Sequence, residues 1–278
     1  MQQNNTIAER PFWPHRLPSW VKWTILFIGV SCKNIEEKNR IPGWTEEQQL
    51  HLRKYILSLP PTGTEIGIYR LDSILAVAEK DSVAFHRTVN YLQEPLAGPN
   101  SVYRNTMLNI ELQKAKLRSI WFSDSLKKEI KNEINLLLQN CIGERANDFI
   151  FINTEGSRRK LYDLKARYTL LFFYNPKCDA CRDMKTMLGS SGIINKKLAL
   201  GELKVLSVYT DRDEQIWLNH LSELPAYWVN GRDENEYLFR NRIYDLRAIP
   251  TVYLLDRNKK VILKDCMAIA EIERKLTE

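Results

Sequence analysis

Cys178 and Cys181 are the residues whose types and spacing carry the most chemistry, two thiols separated only by Asp179-Ala180. They directly follow the apolar run Tyr168-Thr169-Leu170-Leu171-Phe172-Phe173-Tyr174, which reads as a buried strand. The residues after Cys181 read as a helix. The first thiol of such a pair sits at a helix N-terminus, where unpaired backbone N–H groups and the helix dipole favour a thiolate. The second lies one turn on, close enough to close a disulfide. This is the chemistry of a two-electron switch between dithiol and disulfide. Lys177 and Arg182 flank the pair and add positive charge that favours a thiolate, while Asp179 opposes it. The alternative for both cations is solvated surface.

The rest of the composition narrows the field. The 278 residues are 44% hydrophobic and 27% charged, with a formal charge of +7, and are long enough for two domains. Basic residues are scattered among acids rather than clustered with aromatics, so no nucleic-acid partner is expected. Cys32, Cys141 and Cys266 complete the five cysteines, which do not form a disulfide framework. A structural zinc site takes four ligands. The remaining cysteines and scattered histidines offer no second paired half-site, so no metal and no cofactor are expected.

The elements that must position the pair follow from periodicity. Thr45-Glu46-Glu47-Gln48 opens a helix with a capping-box pattern, and Pro60-Pro61 ends it. Residues 62–69 read as a turn or short extended piece. A second helix is expected from Asp72 or Ser73 to Leu92, and a third from Asn100 or Ser101 to Trp121. A fourth places Leu126, Ile130, Ile134, Leu137, Leu138 and Cys141 on one face of a 3.6-residue period. Cys141 is therefore expected as a small core residue, with Gly143 as the stop. His51 and His86 fall on predicted helices without acidic or Cys partners.

From there the pattern changes to strands alternating with helices. Residues 148–153 form a short apolar run, 204–209 another buried strand, 214–221 a helix, 251–255 and 261–263 two strands about a turn, and 271–276 a last helix. This is an α/β class with a mixed sheet, preceded by an all-α part. The expected organisation is a helical domain at 42–141 and a second domain at 144–278. Cys266, after the final strand, is expected to be buried and inert.

The first residues contain a different signal. Residues 20–30 are apolar apart from Lys22 and Thr24, too short to span a bilayer but the length of a signal-peptide core. They end at Gly29-Val30-Ser31-Cys32, small residues before a cysteine, which resembles the lipobox of a bacterial lipoprotein signal, with Cys32 as the lipidated residue. An ordinary secretory signal and an uncleaved anchor are the alternatives. Residues 1–32 are thus the signal segment and 33–41 a tether. Such a signal implies a location in the bacterial cell envelope, facing the periplasm, with a lipid anchor to the membrane.

Residues 144–278 resemble the thioredoxin-like domains of the TlpA/ResA type. The entry Ala146-Asn147-Asp148-Phe149 with Leu161-Tyr162-Asp163-Leu164 is similar to that family's N-terminal hairpin. Phe172 to Cys181 is similar to its active-site strand and loop, and Val208-Tyr209-Thr210-Asp211 to its next strand end. Tyr244 to Asp256, with Ala248-Ile249-Pro250-Thr251 inside it, is similar to the run before its last hairpin. The resemblance implies a thioredoxin fold and a thiol–disulfide oxidoreductase, here expected to act as a reductant. It implies a cis bond at Pro250 facing the disulfide, with the backbone of Ile249 free to bind an extended substrate peptide; an ordinary edge-strand proline is the alternative. In the implied mechanism Cys178 attacks a substrate disulfide and Cys181 resolves the mixed disulfide. The partners are then protein thiols and disulfides, with an upstream electron donor. The chain departs from relatives by carrying Lys177 where many have Trp, and Phe172 where thioredoxins have a buried acid; Asp183 is a candidate substitute. Trp217, Tyr227, Trp228 and Tyr237 are candidates for shaping substrate access. The competing function is a binding scaffold in which the fold is kept without exchange chemistry.

Overall fold

The computed structural model describes residues 64–98, 101 and 103–278, with residues 45, 47, 50 and 54 ahead of them. The signal segment with Cys32, the tether and His51 lie outside the described residues. The helix expected from Thr45 is described only at Glu47, Leu50 and Lys54, which are helical.

The helical part holds α1 (Thr64–Ala78), α2 (Ser82–Ala97), α3 (Thr106–Arg118) and α4 (Asp124–Leu137). Their starts are set by side-chain caps. Asp81, Asn105 and Ser123 accept the N–H groups of Ala84, Leu108 and Leu126, each satisfying a donor that the first turn leaves free. These caps explain two departures from expectation. Asp81 divides what the sequence presents as a helix from 72 to 92, so that residues 64–69, expected as a turn, belong to α1 instead. The third helix begins at Thr106 because Asn105 caps it. α2 also runs past Leu92, where the sequence places its end, with Pro95 in its last turn, where the missing N–H removes a single hydrogen bond. Leu71, Leu75, Phe85, Val89, Leu92, Leu96, Leu108 and Leu112 form the apolar cluster of this part.

Helix α4 ends earlier than its apolar stripe. Asn140 adopts a left-handed backbone, φ 52°, and its side chain bridges outward. Its amide donates to the Ile243 carbonyl at 2.8 Å and its oxygen accepts the Asn147 N–H at 2.7 Å. Ile130, Ile134 and Leu137 are buried as expected, but Leu126 and Leu138 are exposed and Cys141 lies past the helix, half-buried, not in the core.

The remainder is a seven-stranded mixed sheet flanked by helices. Its strands are β1 (Ile150–Asn153), β2 (Arg158–Lys160), β3 (Tyr168–Tyr174), β4 (Leu203–Tyr209), β5 (Val229–Arg232), β6 (Thr251–Leu255) and β7 (Val261–Lys264). The order is β2-β1-β5-β4-β3-β6-β7. β3 runs parallel to β4 and antiparallel to β6; β4 runs parallel to β5. Every residue of β3 is buried, as a strand covered on both faces demands. Alternate side chains feed two clusters: Leu170, Phe172 and Tyr174 on one face, Leu171 and Phe173 on the other. α5 (Asp179–Ser190), α6 (Gly192–Ala199), α7 (Glu214–Asn219), α8 (Tyr237–Arg240) and α9 (Ile269–Thr277) complete the fold.

Residues 41–278 form one compact unit, with the helical part bonded to the sheet. Lys264 Nζ donates to the carbonyls of Leu137 and Gln139, both at 2.6 Å, placing a cation at the C-terminal end of α4. Arg247 meets Glu133 of α4 at 3.6 Å, and Thr106 Oγ1 donates to Asp265 Oδ2 at 2.5 Å. Among the described residues no helix is long and apolar enough to cross a membrane.

Candidate functional site

The site is built where the central strand ends. After Tyr174 the chain turns on Asn175, whose carbonyl accepts the Cys178 N–H at 3.1 Å and whose side-chain oxygen accepts the Lys177 N–H at 2.9 Å. Asn175 Nδ2 reaches Asp211 at 3.1 Å, tying this turn to the loop after β4. Cys178 then becomes the N-cap of α5, with extended backbone, and its Sγ accepts the Cys181 N–H at 3.3 Å. A backbone donor at a helix N-terminus aimed at sulfur stabilises a thiolate there.

The partner segment arrives through register. β6 is antiparallel to β3 with Thr251 opposite Phe173. Residues 249 and 250, just before β6, therefore stand at the end of β3 from which Cys178 departs. The Ile249–Pro250 bond is cis, and Cys178 Sγ lies 3.7 Å from the Ile249 carbonyl. Residues separated by 71 positions in the sequence thus meet at one sulfur.

The two thiols differ in environment. Both are free. Cys178 is half-buried and Cys181 is 1% exposed, packed with Met184 and Leu188 on the inner face of α5. Burial pushes the Cys181 thiol well above its ordinary value, and its hydrogen bond to Cys178 adds to this. A backbone bond at Asn175 and the charge of Arg104 act in the opposite direction. A narrow cleft of about 10 Å³ is lined by Cys181 with Tyr174, Arg182, Lys185, His220 and Glu223 among others. Phe172 stacks on Tyr174 at 5.3 Å and meets the Trp228 edge at 6.2 Å, an apolar wall in the same cluster as Cys181.

Of the flanking charges, Arg182 is paired with Asp179 on the surface of α5, so the two expected opposing influences neutralise each other. Lys177 and Asp183 are exposed. Trp217 and Trp228 are core residues, whereas Tyr227 and Tyr237 are exposed; Tyr227 Oη bonds Asn195 at 3.2 Å. Cys266 is buried, its thiol pushed up to about 11 by burial.

Sequence reasoning missed one residue beside the site. Arg104, between α2 and α3, donates through Nη2 to the Pro250 carbonyl at 2.8 Å. A lone arginine in a linker has no periodic or motif signal that connects it to a loop 146 positions away.

The chain is similar to a thioredoxin-like protein of known crystal structure from Bacteroides caccae, with 31% identity, a TM-score of 0.75, and coverage of 84% of this chain and 82% of that one. It is also similar to nucleoredoxin of Mus musculus, 27% identical over 113 residues, which are 41% of this chain and 26% of that protein. Nucleoredoxin of Danio rerio is 29% identical over 102 residues, 36% of this chain and 24% of that protein. The chain thus spans about a quarter of the length of the curated relatives it matches. No protein-family model matches it.

Proposed function

We propose, for a chain that belongs to the thioredoxin-like proteins, that Cys178 and Cys181 are a working dithiol and that the protein is a thiol–disulfide oxidoreductase acting on protein disulfides. The observation that carries this reading is the asymmetry of two free thiols at one helix N-terminus. Cys178, half-buried, takes the Cys181 N–H at 3.3 Å and faces the Ile249 carbonyl, while Cys181 is sealed beneath it. Such a pair divides the labour: the accessible sulfur meets the substrate, and the covered one completes the exchange.

In this mechanism the Cys178 thiolate attacks one sulfur of a substrate disulfide, and the other leaves as a thiolate. Cys181 loses its proton to solvent, and its sulfur attacks Cys178. The intramolecular disulfide forms as the bond to the substrate breaks, releasing the second substrate sulfur as a thiolate. Two electrons have moved from protein to substrate. Ile249 and Pro250 bind the substrate, the Ile249 backbone pairing with an extended segment held beside the sulfurs. We assign the net direction as reduction, with an upstream donor restoring the dithiol. An envelope location facing the periplasm and lipid attachment at Cys32 belong to the same reading. They rest on the apolar residues 20–30 and on Gly29-Val30-Ser31-Cys32. Residues 42–141 serve as a docking domain and 144–278 as the redox domain.

The test is a redox titration of the full chain carrying Cys32→Ser, equilibrated in glutathione buffers, trapped by alkylation and mapped by mass spectrometry. A reversible Cys178–Cys181 disulfide is expected, with a midpoint toward the reducing end of the range of about −270 to −120 mV that such couples span. Thiols that stay unpaired across that range would sink the enzyme reading and leave a scaffold.

A further inference from the structure

We propose that Arg104 is a positioning residue for the dithiol. It anchors the Ile249–Pro250 loop beside Cys178 and supplies the buried positive charge that favours the Cys181 thiolate when the mixed disulfide is resolved. This rests on the reading of Cys178 and Cys181 as an exchange pair.

Arg104 belongs to the helical part but not to its core. Its side chain is 6% exposed. Nη2 holds the Pro250 carbonyl at 2.8 Å and lies 3.8 Å from Met267 Sδ. The next carbonyl back along the chain, that of Ile249, faces Cys178 Sγ at 3.7 Å. One guanidinium nitrogen therefore fixes the segment that forms the far wall of the site.

The rest of the group is under-neutralised. Nε and Nη1 are buried and have no hydrogen-bond partner among the described residues. Among the described residues Asp265 is the carboxylate within 4 Å, at 3.9 Å, and its other oxygen is taken by Thr106 Oγ1 at 2.5 Å. Burying a guanidinium whose five donors are so sparsely used costs stability, and a charge in that setting is poorly screened. The loop it holds faces Cys178, and its charge acts to lower the Cys181 thiol against the larger effect of burial.

The other charged and titratable groups around Cys181 are paired with one another, held neutral or, like Lys177 and Asp183, exposed. Cys178 is its thiol partner. On α5, Arg182 pairs with Asp179, and Lys185 pairs with Glu223 at 3.1 Å. His220, after α7, meets the Ile216 carbonyl through Nδ1 at 2.7 Å, and its Nε2 is 3.9 Å from Glu223. Tyr174 on β3 is held neutral by burial. Burial raises the Cys181 thiol, and Arg104 acts against it.

Resolution is the step that needs this charge. Cys181 must give its proton to solvent before its electron pair forms the bond to Cys178. The Cys178–substrate bond then breaks and its electrons leave with the substrate sulfur. A cation near Cys181 raises the thiolate fraction and so the rate.

The test uses the full chain in a Cys32→Ser, Cys141→Ser background with 5,5′-dithiobis(2-nitrobenzoate) as the substrate disulfide. Attack by Cys178 releases one nitrothiobenzoate and resolution by Cys181 the second. Arg104→Gln should slow the second release about tenfold at neutral pH and move its pH profile up by about one unit. Any slowing of the first release, through the loop that Arg104 holds beside Cys178, should be smaller than that of the second, and Arg104→Lys should recover most of the second, as charge rather than fork geometry is at stake. Asp265→Asn keeps an acceptor for Thr106 and removes the carboxylate charge 3.9 Å from Arg104, so it should move the profile the other way. A folded Arg104→Gln variant with an unmoved second-release profile overturns the proposal. If that variant does not fold, an unmoved or slowed Asp265→Asn profile overturns it. Absence of any second release from the parent instead overturns the dithiol reading itself.

Discussion

Asp233 allows a stability change to be worked from the structure. It follows β5, its N–H donates to the Tyr209 carbonyl at 2.8 Å, and the residue is 1% exposed. Oδ2 accepts the Leu238 N–H at 2.9 Å, while Oδ1 is buried without a partner among the described residues. Burial pushes its carboxyl up from 3.8 to about 6; the N–H groups of Leu238 and Tyr237 pull it back, and Glu236 and Glu234 raise it further. The folded state therefore holds this proton more tightly than the unfolded chain does. Stability from it is fully present below the unfolded value and is lost as pH rises through the folded one. The full loss is about 3 kcal/mol, from a shift of roughly two units at 1.36 kcal/mol each.

Asp233→Asn removes the titration and keeps an acceptor for Leu238. Its buried amide N–H lacks a partner, which costs about 1 kcal/mol at every pH. Relative to the parent, the variant gains about 1 kcal/mol at about pH 4.5 and about 3 at about pH 7.5, before that constant cost. The difference in unfolding free energy between the two proteins should thus grow by about 2 kcal/mol across the window. Urea unfolding at both pH values, followed by circular dichroism with the slope checked for equality, measures it. A difference that stays flat within about 0.5 kcal/mol would refute the argument that Asp233 is forced to ionise in a buried site.

Cys181→Ser should leave Cys178 able to attack but unable to be released. A substrate mixed disulfide at Cys178 should then accumulate on non-reducing gels, whereas Cys178→Ser should form none and lose turnover entirely. Gly231→Ala should destabilise the sheet by about 1–3 kcal/mol in thermal or urea unfolding, because a Cβ on Gly231 would stand 2.5 Å from Cδ2 of the fully buried Phe151. Unfolding indistinguishable from the parent would show that Phe151 moves aside at no cost.

Much of the sheet was legible because its signals are local. Residues 168–174 are apolar apart from Thr169, a short aromatic-rich run that fits a strand covered on both faces; the structure buries all of them. The hairpin about Asp256-Arg257-Asn258-Lys259-Lys260 announced itself by turn residues between two apolar runs. β5 did not. Val229-Asn230-Gly231-Arg232 is short and polar, and it is a strand because β4 and β1 supply hydrogen bonds on both sides. The helical part was misdivided where a single cap outweighed propensity, at Asp81 and at Asn105. The stripe that placed Cys141 in the core ran past the true end of α4, because Asn140 found partners in Ile243 and Asn147, far away in sequence or across a turn.

By itself the sequence determined that two thiols share one helix turn after a buried strand, since three-residue spacing and a continuous apolar run are properties of adjacent residues. It also determined, by resemblance, the order of segments and the expectation of a cis bond at Pro250. Only tertiary structure decided which thiol is sealed and which is open, because that depends on packing α5 against the sheet. Only the β3–β6 register set the Ile249 carbonyl 3.7 Å from Cys178. And only the docking of the helical part on the sheet brought Arg104 to Pro250 at 2.8 Å. A guanidinium's charge acts through space, whereas periodicity and motif report only neighbours along the chain.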